Sequence, residues 1–305
     1  MKLLEQGYSV NTTVRPHPEH KRDVSFLTSL PEASEKLQIF QADLSDPDSF
    51  EVAIKGCIGV FHVATPLDFE RKEPEEVVVQ RAIDGTLGIL KACLNSITVK
   101  RVVYTSSSSA VVFNDSDVDT MDESYWTDVE YVKALKSFAG PYFISKTLTE
   151  KRALEFADEH GFDLVTIIPS FINGPFICSK FPGSVRTSLA MVLGDQEQYE
   201  LLINTSMVHI DDVARAHIFL LEYPEAKGRY ICSSDIITIE EMSKFLSAKY
   251  PEYSIPTLEY LKDVEGFKIP GVSSKKLLDS GFKFRYGLDE MFDGAIQCCK
   301  EKGFL

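Results

Sequence analysis

The chain has 305 residues, of which 44% are hydrophobic, and its formal net charge at pH 7 is −14. This length provides for one large domain or two closely joined ones with a substantial core. The negative charge argues against nucleic acid or an anionic membrane surface as a partner, and we expect a monomer that binds a small molecule. The six cysteines form no metal-type pair, no membrane span or apolar leader is visible, and we therefore expect a cytoplasmic protein with reduced thiols.

The first elements are a short helix that ends at Gly7 and a strand over residues 8–14. In a dinucleotide-binding β-α-β unit this is the second half, because a strand, a glycine-rich turn and most of a helix precede it. The nearest approaches to such a turn, Gly56-x-x-Gly59 and Gly85-x-x-Gly88, do not follow a strand and open a helix. We therefore expect the first strand and the glycine-rich turn to be missing, which leaves exposed sheet edges or a rearranged sheet.

A basic residue, Arg15, ends the strand over residues 8–14, and Lys21 and Arg22 follow closely. At this position an acidic residue binds the ribose 2′-hydroxyl of NAD, whereas an arginine accommodates the 2′-phosphate of NADP. The alternative is a solvated loop charge. The pattern favours NADP(H) as the cofactor.

Strand and helix patterns then alternate as far as Pro169. Such alternation is typical of a doubly wound parallel sheet, whose ligands bind beyond the carboxyl ends of the strands. We expect a Rossmann-type α/β fold, with an NADP-binding domain over residues 1–170 and a smaller C-terminal substrate-binding lobe over residues 171–305. Residues near 207–233 are expected to return to the NADP-binding domain. Predicted strands cover residues 36–42, 58–64, 99–105 and 163–168, and predicted helices cover residues 73–96 and 137–160.

Tyr142 and Lys146 are four residues apart in the predicted helix 137–160, so their side chains share one face. A nearby ammonium favours the phenolate and lowers the pKa of the phenol, which prepares it for general acid catalysis. The strand over residues 99–105 ends in four serines, Ser106 to Ser109. A serine there can donate a hydrogen bond to a substrate carbonyl, and the alternative is that the serines form a turn.

Three other patterns receive a structural interpretation. A second Tyr-x-x-x-Lys sequence at residues 223–227 contains a proline and precedes a glycine, which indicates a turn after a helix. His62 lies in a predicted buried strand and is interpreted as a core histidine. Asp211 or Asp212 fits the N-cap of a helix that runs to Glu222.

The sequence Thr105-Ser106-Ser107, followed on the next long helix by Tyr142-Phe-Ile-Ser-Lys146, resembles the extended short-chain dehydrogenase/reductase superfamily. Further stretches resemble the plant dihydroflavonol 4-reductase-like family within it, and the resemblance covers essentially the whole chain. It implies NADPH-dependent reduction of a ketone on a flavonoid- or isoflavonoid-type ring to an alcohol. The stretches that narrow the resemblance are residues 56–66, 122–126, 142–148, 208–213, 228–234 and 298–303.

The resemblance also assigns roles to individual residues by position, with no metal. It implies a catalytic triad of Ser107, Tyr142 and Lys146, of which the last two also bind the cofactor. The implied cofactor contacts are Arg15 and Lys21 for the 2′-phosphate, Asp43 and Leu44 for the adenine, Val63, Ala64 and Thr65 along the cofactor, and Pro169 and Ser184 near the nicotinamide.

The chain departs from the family pattern at Val112, where dihydroflavonol reductases carry an asparagine that binds ring hydroxyls, and in the absent glycine turn. An apolar side chain cannot make those hydrogen bonds. Three alternatives therefore stay open: a non-catalytic NADP-binding sensor, an inactive incomplete homologue, and an epimerase with the same triad. Aromatic loops over residues 171–184 favour a flat apolar ketone over a sugar, and ordinary loop packing is the other explanation for them.

Overall fold

The computed structural model describes residues 1–16, 23–66, 73–266 and 269–305, which form two compact units. The first unit contains Met1–Asp115, Trp126–Ile168 and Arg215–Tyr230. The second contains Ser116–Tyr125, Pro169–Ala214 and Ile231–Leu305. The segment Ser116–Tyr125 belongs to the second unit because its short strand pairs in parallel with another strand near residue 271.

Strands and helices alternate through the first unit, whereas the second mixes short strands with helices. The strands are β1 (Val10–Val14), β2 (Leu37–Gln41), β3 (Gly59–His62), β4 (Arg101–Thr105), β5 (Thr120–Met121), β6 (Leu164–Pro169), β7 (Phe171–Asn173), β8 (Asn204–His209), β9 (Gly228–Cys232), β10 (Asp235–Thr238) and β11 (Gly271–Val272). The helices are α1 (Lys2–Glu5), α2 (Ser25–Thr28), α3 (Ala33–Lys36), α4 (Glu51–Ile54), α5 (Glu75–Asn95), α6 (Val129–Leu135), α7 (Gly140–His160), α8 (Gly183–Ser188), α9 (Ala190–Leu193), α10 (Ile210–Glu222), α11 (Ile239–Lys249), α12 (Leu258–Leu261), α13 (Lys275–Asp279) and α14 (Leu288–Lys302).

The strands of the first unit form two sheets. β1 pairs with β2 in parallel, and a second sheet has the strand order β3-β4-β6-β9, in which β3, β4 and β6 are parallel. Parallel strands that alternate with helices make this the predicted Rossmann-type α/β fold. β1 and β3 each end a sheet, and in the described part of the chain no strand joins them. β1 and β3 are therefore edge strands in the described part of the chain.

Two glycines of α5 allow close packing in the first unit. A Cβ added at Gly85 would lie 2.9 Å from the carbonyl oxygen of Leu44, and one added at Gly88 would collide with the Pro47 ring. Both glycines lie in the interior of α5, which packs on α7. As the sequence predicted, this glycine pair does not open a phosphate-binding turn.

The second unit is organised around a sheet of order β10-β8-β7, with β8 antiparallel to β10 and parallel to β7. In its aromatic loops, the Phe176 and Phe181 rings stack with centroids 5.9 Å apart, and Phe304 lies 4.8 Å from Phe181. These rings therefore pack against the end of the chain, as ordinary loop packing requires. Their contact with a ligand stays a prediction.

The predicted helix cap at Asp211 or Asp212 is wrong. α10 begins at Ile210, and the buried carboxylate of Asp212 accepts hydrogen bonds from the backbone N–H groups of Arg285 and Tyr286 at 2.9 and 3.1 Å. The Nδ1 atom of His209 accepts a hydrogen bond from the N–H of Asp211 at 3.1 Å. Asp212 thus anchors a distant segment, a role that local spacing does not reveal.

Among all described helices, none has the length and apolar character needed to cross a membrane.

Candidate active site

Ser107 lies just past the carboxyl end of β4, a strand whose residues are all buried. It begins a single 3₁₀ turn over Ser108–Ala110, and its Oγ accepts hydrogen bonds from the N–H and the hydroxyl of Ser109 at 3.2 and 2.9 Å. Two accepted hydrogen bonds leave the Ser107 proton available for donation. A hydrogen bond joins the Ser107 side chain to the Tyr142 phenol.

The helix α7 carries Tyr142 and Lys146 one turn apart, with Pro141 in its first turn. Lys146 is 4% exposed, and its Nζ donates hydrogen bonds to the Thr105 carbonyl at 2.7 Å and to the Thr65 Oγ1 at 2.9 Å. The ammonium therefore links α7 to the ends of β3 and β4. The structure brings Ser107 and Tyr142 into contact and places Lys146 one helical turn from Tyr142, and the catalytic roles of the three stay a prediction.

Burial dominates the electrostatics of this group. It raises the pKa of the Tyr142 phenol, and the hydrogen bond with Ser107 opposes that rise. Burial also lowers the pKa of Lys146 to about 8, against the opposing charge of Glu150. The lowered Tyr142 pKa that the sequence suggested is not the net result here, because desolvation of the phenol is the larger effect. At pH 7 the phenol is protonated and the ammonium is charged, so the phenol can donate a proton.

Tyr142 lines a cleft of about 390 Å³ in the first unit. Apolar side chains of Val78, Val132 and Ile144 form part of its wall. Ser145 also lines it; this hydroxyl is buried and finds no hydrogen-bond partner among the described residues. Since buried polar groups are normally paired, the cleft offers a bound molecule both space and a hydrogen-bonding group.

Arg15 and Asp43 follow the carboxyl ends of β1 and β2, which pair in register. Burial raises the pKa of the Asp43 carboxyl, but hydrogen bonds from Ser45 and the charges of Arg15 and Arg81 outweigh it, and the net pKa is lowered. Arg15, which is exposed, is thus close enough to act electrostatically on Asp43. Two of the predicted cofactor contacts are brought to one sheet edge.

The remaining predicted cofactor residues are distributed as follows. Val63 and Ala64 are exposed after β3, Thr65 binds Lys146, and Leu44 packs against α5 at Gly85. Pro169 ends β6, and Ser184 lies in α8; both belong to the second unit, and their place near a nicotinamide stays a prediction. Lys21 lies outside the described residues.

His62 is a core residue, as the sequence predicted. It is 3% exposed, and its Nε2 lies 2.9 Å from the Thr86 Oγ1. Burial, with a smaller contribution from Lys146, lowers the pKa of His62 to about 3, so the ring is neutral near pH 7. A neutral, buried imidazole bonded to a threonine fits a structural role.

Val112, the position that departs from the family pattern, is buried with 5% exposure. The nearby Asn114 amide donates hydrogen bonds to the carbonyls of Val111 and Trp126 at 3.0 and 3.2 Å. Asn114 therefore stabilises its own loop.

Sequence reasoning missed the buried pair of Glu150 and Arg229, whose Oε1 and Nε atoms are 2.9 Å apart. Glu150 is one helical turn beyond Lys146, and that spacing was the available signal. Arg229 carried no comparable signal, because it is 79 residues away in the chain.

Comparison with known proteins gives consistent matches along the chain. A model of the NAD dependent epimerase/dehydratase family matches residues 2–232. Vestitone reductase from Medicago sativa is 58% identical over 303 residues, covering 99% of this chain and 93% of that protein. Dihydroflavonol 4-reductase from Callistephus chinensis is 46% identical over 305 residues, covering 100% of this chain and 83% of that protein.

Two solved structures are similar as well. The crystal structure of vestitone reductase from alfalfa (Medicago sativa) matches with a TM-score of 0.89 and 55% identity, covering 100% of this chain and 94% of that one. Yeast methylglyoxal/isovaleraldehyde reductase Gre2, complexed with NADPH, matches with a TM-score of 0.78 and 24% identity, covering 100% of this chain and 95% of that one. At that identity the second match supports the fold.

Proposed function

Because this chain belongs to the NAD dependent epimerase/dehydratase family, we propose that it is an NADPH-dependent reductase that converts a flavonoid- or isoflavonoid-type ketone into an alcohol. The observation that carries this proposal is the convergence of Ser107, Tyr142 and Lys146 at the end of β4. Similarity to vestitone reductase and dihydroflavonol 4-reductase supports the substrate class. All six cysteines are free thiols, and we place the reaction in the cytoplasm, where thiols stay reduced.

The chemistry of the side chains fits a phosphorylated dinucleotide. Arg15 offers an exposed guanidinium for the 2′-phosphate. The Lys146 ammonium has three donors, of which Thr105 and Thr65 take two in the described structure, so a ribose hydroxyl can accept from the third. When bound, NADPH supplies the hydride for the ketone carbon.

Side chains of the protein supply the proton that the ketone oxygen takes up. Tyr142 donates its phenolic proton to the ketone oxygen as negative charge develops there. Ser107, whose lone pairs accept from Ser109, donates a hydrogen bond to the same oxygen, keeps its proton and holds that oxygen in place. Lys146 stabilises the phenolate that Tyr142 becomes.

Cofactor titration is the first test. We expect saturable binding of NADPH, preferred over NADH, when cofactor fluorescence is followed with the purified chain. Arg15→Ser should weaken NADPH binding about tenfold or more and leave NADH binding unchanged, because it removes a charge-assisted contact to the 2′-phosphate. Arg152→Ser, which removes an exposed guanidinium paired with Glu155 on α7, is the matched control. Equal affinity for the two cofactors would contradict the NADP assignment.

Turnover is tested next with a panel of flavanone and isoflavanone ketones. Oxidation of NADPH that depends on one of these ketones would support the reductase. A ketone-independent signal, or turnover of a nucleotide sugar instead, would contradict it and favour an epimerase.

A second candidate function is binding of NADP(H) without turnover. The buried Val112 favours it, because an apolar side chain cannot make the hydrogen bonds to ring hydroxyls for which dihydroflavonol reductases carry an asparagine. Saturable NADPH binding with no oxidation by any ketone in the panel would support this candidate over the reductase.

A further inference from the structure

Glu150 carries a fully buried carboxyl group near the triad. It is fully buried on α7, one turn beyond Lys146. Its carboxylate accepts hydrogen bonds from the hydroxyls of Ser106 at 2.6 Å and Thr166 at 2.8 Å, and from the Arg229 Nε at 2.9 Å. One carboxylate thus joins α7 to the end of β4, to β6 and to β9.

The ion pair contacts the segment Ser106–Ala110 at both ends, and at the second end the Ala110 carbonyl also accepts a hydrogen bond from the Thr127 N–H at 3.1 Å. Glu150 binds the side chain of Ser106, and the Nη2 of Arg229 lies 3.5 Å from the carbonyl oxygen of Ala110. Ser107 lies between these two contacts and begins the 3₁₀ turn that ends at Ala110.

The same carboxylate acts on Lys146. The Lys146 Nζ binds the Thr105 carbonyl, and Glu150 binds the side chain of the very next residue, Ser106. Its negative charge also favours the charged form of Lys146, against the effect of burial.

We propose that Glu150, held by Arg229, is a positioning residue of the reaction that fixes Ser107 and the Lys146 ammonium relative to Tyr142. This proposal rests on the proposed function, since it assigns a role in the same reaction. A buried ion pair is seldom needed for stability alone, because packed apolar residues often do as well. Its location one turn beyond Lys146 and against Ser106 is accounted for by positioning.

A second ion pair of the first unit, formed by the buried Arg101 and the exposed Asp163, provides a control. At the opposite end of β4, Arg101 binds Asp163 through its Nε and Nη2 atoms at 3.0 and 2.9 Å. Arg101 also binds the carbonyl of Leu220, and neither partner contacts the triad in the described structure.

The test is Glu150→Gln, which keeps the shape of the side chain and removes its charge. We expect kcat to fall about 100-fold, as misplacement of reacting groups costs, with KM for the ketone within about twofold of the parent. Asp163→Asn should lower stability and leave kcat unchanged. A loss of activity in Glu150→Gln that only follows the folded fraction, as for Asp163→Asn, would overturn the proposal.

The pH profile distinguishes positioning from a purely structural role. In the parent protein kcat/KM should decline as pH rises through about 8, where Lys146 loses its charge. In Glu150→Gln this limb should move to lower pH by about one unit, because an attractive charge is gone while Arg229 remains. An unmoved limb would overturn the proposal.

The other titratable groups that face Lys146 in the described structure are His62, Tyr104 and Tyr142. Burial lowers the pKa of His62 to about 3 and raises the pKa of Tyr104 well above its usual value. Burial raises the pKa of Tyr142 too, so none of the three changes charge near pH 8.

A gentler pair of variants covers the case in which Glu150→Gln fails to fold. Ser106→Ala and Thr166→Val each remove one hydroxyl from Glu150, but only Ser106 adjoins Ser107. Ser106→Ala should lower kcat about tenfold at unchanged KM, and Thr166→Val should not. Equal effects of the two variants on kcat would overturn the proposal.

A cofactor-free measurement separates this proposal from the proposed function. Denaturant unfolding across pH 6–11 is compared for the parent, Lys146→Met, Glu150→Gln and the double variant. Since burial lowers the folded-state pKa of Lys146, its contribution to stability rises with pH between about 8 and its unfolded value of about 10.4. In the Glu150→Gln background that rise should begin at lower pH. If no ketone is turned over but the pH-dependent increase in stability begins at lower pH in Glu150→Gln, the proposed function fails while the coupling of Glu150 to Lys146 stands. If that increase begins at the same pH as in the parent, the coupling is overturned.

Discussion

Two tyrosines of the chain, Tyr142 and Tyr223, are each followed by a lysine four residues later. Their hydroxyl groups contact different partners. The Tyr142 phenol is hydrogen-bonded to Ser107 at the end of a buried strand. The Tyr223 hydroxyl donates to the Glu225 carboxylate at 3.2 Å, in a turn after α10. The same spacing therefore places one phenol against Ser107 in a buried site and the other in a turn.

Tyr142→Phe should abolish turnover, by about 10³-fold or more, because the proton donor is removed. The free energy of unfolding should change by no more than about 1 kcal/mol, since one hydrogen bond is lost and the ring remains. Steady-state assays and urea denaturation measure the two quantities. Tyr223→Phe is the matched control and should retain parental activity; substantial activity in Tyr142→Phe would refute the assigned role.

His62 should make the protein sensitive to acid. Its folded-state pKa of about 3 is below the unfolded value of about 6.5, so the unfolded chain binds a proton first as pH falls. Stability should therefore decrease between pH 6.5 and 3, with a contribution of up to about 1.4 kcal/mol per pH unit. Denaturant unfolding of His62→Gln, which keeps a polar partner for Thr86, should show a shallower acid slope. A slope equal to the parental one would contradict this account.

The candidate site residues that were identified from the sequence have spacings or positions that are visible within a short stretch of it. Tyr142 and Lys146 are one helical turn apart, and Ser107 directly follows a strand, so periodicity and position suffice. Arg229 meets Glu150 through tertiary contact alone, and no spacing in one sequence reports such a contact. The net direction of the Tyr142 pKa also depends on burial, which becomes known only from the packed structure.

At the scale of the elements, α5 depends on its glycines. Gly85 and Gly88 are one turn apart in this helix, and each faces a neighbouring segment at a distance that excludes a methyl group. A helix of 21 residues normally avoids glycine, which costs about 1 kcal/mol relative to alanine. Close packing offsets that cost here.

Gly88→Ala should therefore destabilise the protein in spite of alanine's higher helix propensity. The added methyl collides with Pro47, and overpacking of this kind costs about 1–3 kcal/mol. Gly183→Ala, where a Cβ meets nothing within 4 Å, is the control and should leave stability nearly unchanged. Urea denaturation of both variants decides the matter, and a stabilised Gly88→Ala would contradict the packing argument.

Periodicity in the sequence predicted which segments form strands and helices, but it did not predict every residue at which they begin or end. The strands β1 to β4 lie within the predicted segments, and β6 extends one residue past its segment to Pro169, because β-branched runs bounded by turn residues identify strands. The start of α10 was misplaced, since the acidic residue that resembled a cap binds Arg285 and Tyr286 instead. The short pair β5 and β11 had no sequence signal at all, because two-residue strands are defined by their partner.

At the scale of the whole molecule, the first unit has a sheet in two parts. β4 and β6 are buried along their entire length, whereas the edge strands β1 and β3 are mostly half-buried. The alternation of strands and helices in the sequence predicted the parallel strands themselves. The sequence could not predict how the strands of the first unit divide between sheets, because that depends on the free energy of the whole packed structure.

Hydrogen exchange should reveal this division. Amides of β1 and β3 should exchange about tenfold or more faster than those of β4 and β6, because an edge strand leaves part of its hydrogen bonding to solvent. Mass spectrometry of peptides covering the four strands measures the difference in the cofactor-free protein. Equal protection of all four strands would show that the sheet edges are covered in solution.

Trp126 is the single tryptophan of the chain, and the Arg229 guanidinium carbon lies 3.5 Å from its ring centroid. An indole in ring contact with a charged group emits light that depends on the local field. The emission spectrum of the unmodified protein therefore carries a direct optical record of whether Arg229 is still held by Glu150. Indole emission also overlaps the absorption of a reduced nicotinamide, so energy transfer from this one ring would count occupied cofactor sites without any label.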